Sequence, residues 1–291
     1  MIKIFNFLLI SCFCFFSCGS DDNENKTEEP ADPINTFFKN EVPPPSSQSC
    51  FAGAYYRKVV SSKDVWLGIG GTVQLPTIVF DEDRKNPNKT GQYLDNPSVY
   101  LGGNMGGQET DIGLTWEVIK ENGIVSQERK AFRPFMRRTN HISGQEANYM
   151  NAPAEDKYYW YPGEIVTISI QIVNDYQIKF IVEGNGKRFE TDYDCAGYKR
   201  GNMGEFKRVN AIDQVANEGK PAQSTKTKVE NGKWSDSYLF RTYNGKVIKA
   251  PLHEGRFTDM RCPDPLYFNI QTTPDEMKKG GETISINGAG Y

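Results

Sequence analysis

Val166-Thr167-Ile168-Ser169-Ile170-Gln171-Ile172 alternates apolar and polar residues without a break. A period of two is the repeat of a β-strand with one buried face, whereas an amphipathic helix repeats near 3.6. The alternation resumes at Ile178, Phe180 and Val182 after Asn174-Asp175, a dipeptide suited to a tight hairpin. Upstream, Ile112, Leu114, Trp116 and Val118 mark one side of another strand. Leu67, Ile69, Val73 and Leu75 mark one side of an earlier one. The segments 97–102, 186–193, 204–210, 236–243, 265–271 and 283–287 read as further strands. Turn signals recur about every ten residues, as in antiparallel sandwiches. Only 211–218 suggests a helix, and 219–232 reads as a long polar loop. The expected fold is an all-β antiparallel jelly-roll (concanavalin A-like) β-sandwich forming a single domain over 50–291. The expectation fits a chain with 12% aromatic residues and 27 glycines. A formal charge of −3 spread along the chain argues against a nucleic-acid partner, which needs a basic face.

The N-terminus carries a different message. Met1-Ile2-Lys3 places one positive charge before an almost unbroken apolar run, Ile4 to Phe16. The run is shorter than the roughly 20 residues that span a bilayer, so 1–17 reads as a secretory signal peptide. Phe15-Phe16-Ser17-Cys18-Gly19 resembles a lipobox, with Phe15 where the family has leucine. Leu9-Ile10-Ser11-Cys12 matches the consensus better, but cleavage there would leave a stubby apolar region and expose Phe13, Phe15 and Phe16. The following Ser20-Asp21-Asp22-Asn23-Glu24 resembles the acidic tag of Bacteroidota lipoproteins displayed on the outer face of the outer membrane. The resemblance implies lipidation at Cys18 and a membrane partner reached through acyl chains. Residues 18–49, with Pro30, Pro33, Pro43, Pro44 and Pro45, read as a disordered tether.

Downstream of Cys18, only Cys50, Cys195 and Cys262 remain. In an oxidising compartment they allow one disulfide and one free thiol, with the pairing open. The only histidines are His141 and His253. That scarcity, without CxxC or HExxH, argues against a histidine-rich metal centre or a Ser-His-Asp triad.

The candidate site follows from strand parity. If Ile112, Leu114 and Trp116 face the core, then Glu109, Asp111, Thr115 and Glu117 share the opposite face. By the same parity Trp66 and Gln74 turn outward, as do Thr167 and Gln171. The expected ligand site is a glycan groove in which Trp66, Trp160 and Tyr161 stack on sugar rings while Gln74 and Glu117 bind hydroxyls. Residues i and i+2 on a strand lie about 7 Å apart, so Glu109 and Asp111 are the candidate acid and base if the protein is an enzyme. Glu109-Thr110-Asp111-Ile112-Gly113 resembles the Glu-x-Asp-x-x-Glu strand of laminarinase-type glucanases, whose third carboxylate is missing here. Trp66-Leu67-Gly68-Ile69-Gly70-Gly71 and Tyr158-Tyr159-Trp160-Tyr161-Pro162-Gly163 resemble glutamic peptidases, another jelly-roll group. The place comparable to that family's glutamate strand, Asn210-Ala211-Ile212-Asp213-Gln214, lacks its motif.

Two lesser features complete the reading. Arg133, Arg137, Arg138 and His141 form a basic cluster able to receive an acidic sugar, or simply a solvated loop. Asp81, Glu82, Asp83, Asn86 and Asn88 form an oxygen-rich loop that suits a structural Ca²⁺, with no other cofactor implied. Three functions stay open: a glycan-binding surface lipoprotein, a hydrolase of polysaccharide or peptide, and a structural surface protein.

Overall fold

The computed structural model describes residues 32–121, 124–140 and 144–291. The signal peptide, Cys12, Cys18, the acidic tag and His141 lie outside the described residues. The strands in chain order are β1 (Ala54–Ser61), β2 (Gly68–Gln74), β3 (Thr77–Val79), β4 (Asp95–Met105), β5 (Gln108–Glu121) and β6 (Ile124–Arg138). There follow β7 (Asn148–Asn151), β8 (Ile165–Asn174), β9 (Gln177–Gly184), β10 (Lys187–Asp194) and β11 (Gly204–Gln214). The last are β12 (Lys228–Tyr243), β13 (Lys246–Pro251), β14 (Phe257–Cys262), β15 (Phe268–Gln271) and β16 (Glu282–Asn287). A five-residue helix, α1 (Pro274–Lys278), is closed by a Thr273/Glu276 capping box.

The strands build a jelly-roll β-sandwich. One sheet has seven strands in the order β14-β1-β11-β4-β5-β6-β7; the other has nine, built on β10-β9-β8-β2-β12-β16-β15, with β3 and β13 also paired to β12. The alternation in β8 and β9 does what the sequence implies: Ile168, Ile170, Phe180 and Val182 are fully buried between the sheets. Ile112 and Leu114 enter the same core from the seven-stranded side. The core also encloses a charged group, since the Arg57 and Arg208 guanidiniums both bind the Glu282 carboxylate.

Four expectations change. The stretch 211–214 continues β11 rather than starting a helix, because Ala211 and Ile212 fill sites in the sheet. The basic stretch around Arg133 is strand β6, not a loop. Residues 228–232, read as loop, begin β12. The stretch 32–49 is not a free tether: Phe38 is only 4% exposed in the core, and Arg256 holds the segment down. The Arg256 guanidinium binds the Glu41 carboxylate at 2.9 Å and the carbonyls of Pro33 and Ile34 at 3.1 and 2.8 Å. Glu41 also accepts from the Ser62 hydroxyl and the Phe38 amide.

The disulfide left open by the sequence joins Cys50 to Cys262, fastening the entry of β1 to the end of β14. Cys195 is free and buried, and burial pushes its thiol up to about 12.

Candidate functional site

The outer face of the seven-stranded sheet carries the groove. Odd-numbered residues of β5 point there, as parity requires when Ile112 and Leu114 point inward. Four cavities follow one another across this face, of about 140, 580, 200 and 210 Å³, with adjacent ones sharing lining residues. Lys58, Glu109 and Lys207 join the first pair, Tyr100, Asp111 and Asp213 the second, and Asn96, Thr115 and Tyr149 the third. Strand β4 runs beneath them from end to end, and its eleven residues span about 35 Å.

At the centre, register lines up Lys207 of β11, Gly102 of β4, Asp111 of β5 and Arg137 of β6. Gly102 leaves no room for a side chain, since a Cβ there would stand 2.0 Å from the Thr110 carbonyl oxygen and 2.9 Å from the Lys207 Cε. Lys207 reaches across β4 to bind two carboxylates of β5, Asp111 at 2.7 Å and Glu109. Burial alone would raise the Glu109 carboxyl, but the Lys207 ammonium beside it holds it below the usual carboxylate range. Arg137 approaches Asp111 at 3.7 Å and binds Glu218 at 2.7 Å. Glu109 and Asp111 do share the groove face, though as partners of one lysine rather than as a free acid–base pair.

Asp213, the penultimate residue of β11, behaves differently. Burial, reinforced by the nearby Asp111, pushes its carboxyl up to about 6 even though the Ser98 hydroxyl donates to it at 2.5 Å. No ion pair reaches it among the described residues. Lys58 is the complementary case, a cation in the groove with no ion pair among the described residues. Burial first, and then the Lys207 ammonium, lower its pKa, while its Nζ rests 5.6 Å from the Tyr56 ring centroid.

Aromatic rings flank the groove's middle. Phe51 is 51% exposed on one side, and Tyr149 of β7 is 55% exposed on the other. Tyr149 stacks on Phe135, whose ring meets Tyr100 edge-on.

Several expected site residues lie elsewhere. Trp66 and Trp160 are core residues, 1% and 0% exposed, with indole N–H groups donating to the carbonyls of Ser62 and Gly184. Parity failed at Trp66 because it precedes the pleat: Gly68, with φ +151°, breaks the alternation, and Leu67 instead joins Tyr238 and Phe240 on the other side. Gln74 is exposed, but on β2 of the nine-stranded sheet, away from the groove. Tyr161 is half-buried against Ala131 and Tyr159 with Lys187 over its ring. Glu117 does face outward on β5, where it binds Arg133 at 2.9 Å. Arg138 lines the groove while its guanidinium donates to the carbonyls of Glu146 and Asp194.

The oxygen-rich loop is not arranged as a cation site. Asp81 accepts from the amides of Asp83 and Lys226, Glu82 binds Lys85, and Asp83 binds the Lys226 ammonium. Among the described residues no three acidic, histidine or cysteine side chains converge as metal ligands.

Sequence reasoning missed Phe51, Lys58, Tyr100, Tyr149, Lys207 and Asp213. A signal existed for Lys58: Ala54-Tyr55-Tyr56-Arg57-Lys58-Val59-Val60 is rich in aromatic and β-branched residues and reads as a strand. Asp213 lies in Asn210–Gln214, the stretch compared above with a glutamate-bearing strand, but that motif is absent and 211–218 read as a helix.

No family model matches the chain, and no curated protein sequence matches it. Solved structures similar to it include scytalido-glutamic peptidase with a transition-state-analogue inhibitor, at 8% identity and a TM-score of 0.47, covering 81% of this chain and 98% of that one. SCP-B, a member of the Eqolisin family of peptidases, is 10% identical with a TM-score of 0.41, covering 80% and 98%. A SAP-like pentraxin from Limulus polyphemus is 12% identical with a TM-score of 0.31, covering 76% and 91%. At such identities and scores the likeness says nothing about a substrate.

Proposed function

We propose that this protein is a lipid-anchored lipoprotein of the outer-membrane surface whose seven-stranded sheet binds an extended glycan. The observation that carries the reading is the run of connected cavities along β4, about 35 Å long. A groove of that length suits a polymer laid along β4 better than a small compact ligand. Exposed Phe51 and Tyr149 at its middle offer apolar faces to sugar C–H groups, and the charged floor supplies partners for hydroxyls. The Lys58 ammonium, in no ion pair among the described residues, favours a chain bearing carboxylates or sulfates over a neutral one.

Affinity electrophoresis of the full-length chain in detergent, through gels containing laminarin, xylan or polygalacturonate, tests this. Retention should be greatest in polygalacturonate, and Phe51→Ala and Tyr149→Ala should each reduce it several-fold without moving the melting temperature. Wild-type mobility unchanged by every polysaccharide would overturn the reading.

A further inference from the structure

We infer that the groove reads the spacing of charge along a glycan, holding an acidic group at Lys58 and a neutral sugar between Phe51 and Tyr149. The inference rests on the glycan-binding reading above and names the class of polymer: one whose acidic units are separated by neutral ones. At the Lys58 end, the cavity of about 140 Å³ is lined by two ammoniums, Lys58 and Lys207, and two carboxylates, Glu109 and Glu205. Both carboxylates are already engaged, Glu109 by Lys207 and Glu205 by Lys63 at 3.6 Å. Lys58 is left in no ion pair among the described residues. Its neighbours on the same face are apolar: Tyr56 and Val60 along β1, Val209 across on β11 and Met260 across on β14. An ammonium half-buried on such a patch, beside a second ammonium, lacks the counter-charge that offsets its lost hydration. An acidic sugar entering the groove supplies it.

The middle of the groove has the opposite character. The cavity of about 200 Å³ flanked by Phe51 and Tyr149 is lined by three carboxyls, Asp111, Asp213 and Glu218, and by one cation, Arg137. Lys207 offsets Asp111 and Arg137 offsets Glu218, which leaves Asp213, like Lys58, in no ion pair among the described residues. A carboxylate or sulfate seated there would be repelled, whereas a neutral sugar would donate its hydroxyls to these oxygens. Strand register separates the two places. Val209 pairs with both Lys58 and Tyr100, and Asp213 pairs with Asn96, so they lie four residues, about 13 Å, apart along β4. That exceeds the width of one sugar ring, so different units of the polymer occupy them. A chain charged at every unit satisfies Lys58 but carries a like charge to Asp213.

The test uses the full-length chain in detergent at about pH 8, where Asp213 is ionised. Affinity gels are cast with one galacturonan backbone at three charge densities: the free acid, the half methyl ester and the full methyl ester. Retention should be greatest in the half ester, several-fold above the other two. Lys58→Met should lower retention in the half ester by about tenfold, to the level of the full ester, while Lys58→Arg should keep it. Asp213→Asn should raise retention in the free acid to that in the half ester. Glu218→Gln, on a side chain 62% exposed, should move it the same way without touching a buried group. Retention that climbs steadily from the full ester to the free acid, or Asp213→Asn and Glu218→Gln variants that discriminate as the wild type does, would overturn the spacing and leave a groove that binds acidic glycans. Retention by laminarin or xylan but by none of the three galacturonans would overturn the acid site at Lys58 and leave a groove for neutral glycans. Failure to retain any polysaccharide would instead remove the glycan reading on which the inference depends.

Discussion

Replacing Glu41 by glutamine tests whether the stretch before Cys50 belongs to the domain. The Glu41 and Arg256 side chains are both fully buried, and the pair closes at 2.9 Å beneath Phe38 and Trp66. Glutamine keeps the shape and one acceptor but removes the negative charge, leaving the guanidinium with carbonyls and aromatic rings. Removing one partner of a buried ion pair costs about 3–5 kcal/mol, and the retained acceptor places this case near 3 kcal/mol. For a chain of this size each kcal/mol moves the melting temperature by about 2–4 °C, so a fall of roughly 6–12 °C is expected. Circular-dichroism melts at pH 7 measure it. The double variant Glu41→Gln/Arg256→Met, which leaves no uncompensated charge, should recover part of the loss. A single variant melting within about 2 °C of the wild type would refute the idea that this ion pair clamps residues 32–49 to the sandwich.

Trp66→Ala and Trp160→Ala should each cost about 3–5 kcal/mol in denaturant melts through cavity formation; a variant that keeps wild-type stability but loses glycan retention would return those rings to the binding surface. Asp213 makes stability depend on pH in a defined direction. Its folded pKa of about 6 exceeds the unfolded value of about 3.9, so the folded state holds the proton more tightly. Its contribution is therefore present below about pH 4 and lost between there and about pH 6, a change of roughly 2–3 kcal/mol. Asp213→Asn should accordingly gain stability relative to the wild type at pH 7 and match it near pH 4, and a difference independent of pH would contradict the burial argument. Reduction of the Cys50–Cys262 bridge, which closes a separation of 212 residues, should cost about 5 kcal/mol by chain entropy. Equal melting midpoints with and without reductant would show that the loop is not constrained in the unfolded chain. Metabolic labelling with a clickable fatty acid should mark the wild type and not Cys18→Ala, whereas persistent label would place the anchor at Cys12.

Period-two alternation alone determined the class of fold, because a side chain one residue out of phase lands on the opposite face of the sheet. Val166 to Val182 became β8, its hairpin and β9 as written, and the outward row Glu109, Asp111, Thr115 and Glu117 was legible from Ile112 and Leu114. Local sequence was silent where the partner is far along the chain. Lys207 meets Asp111 only because β11 and β5 flank β4, and Asp213 owes its proton affinity to burial that nothing in residues 211–218 announces. The same holds for Trp66, which a strand count turned outward but a glycine just past it left in the core, and for Glu41, whose partner Arg256 is 215 residues away. Alternation is a property of neighbouring residues and survives in the sequence. Burial, ion pairing and the shape of the groove arise between strands distant in the chain, and tertiary structure alone decided them.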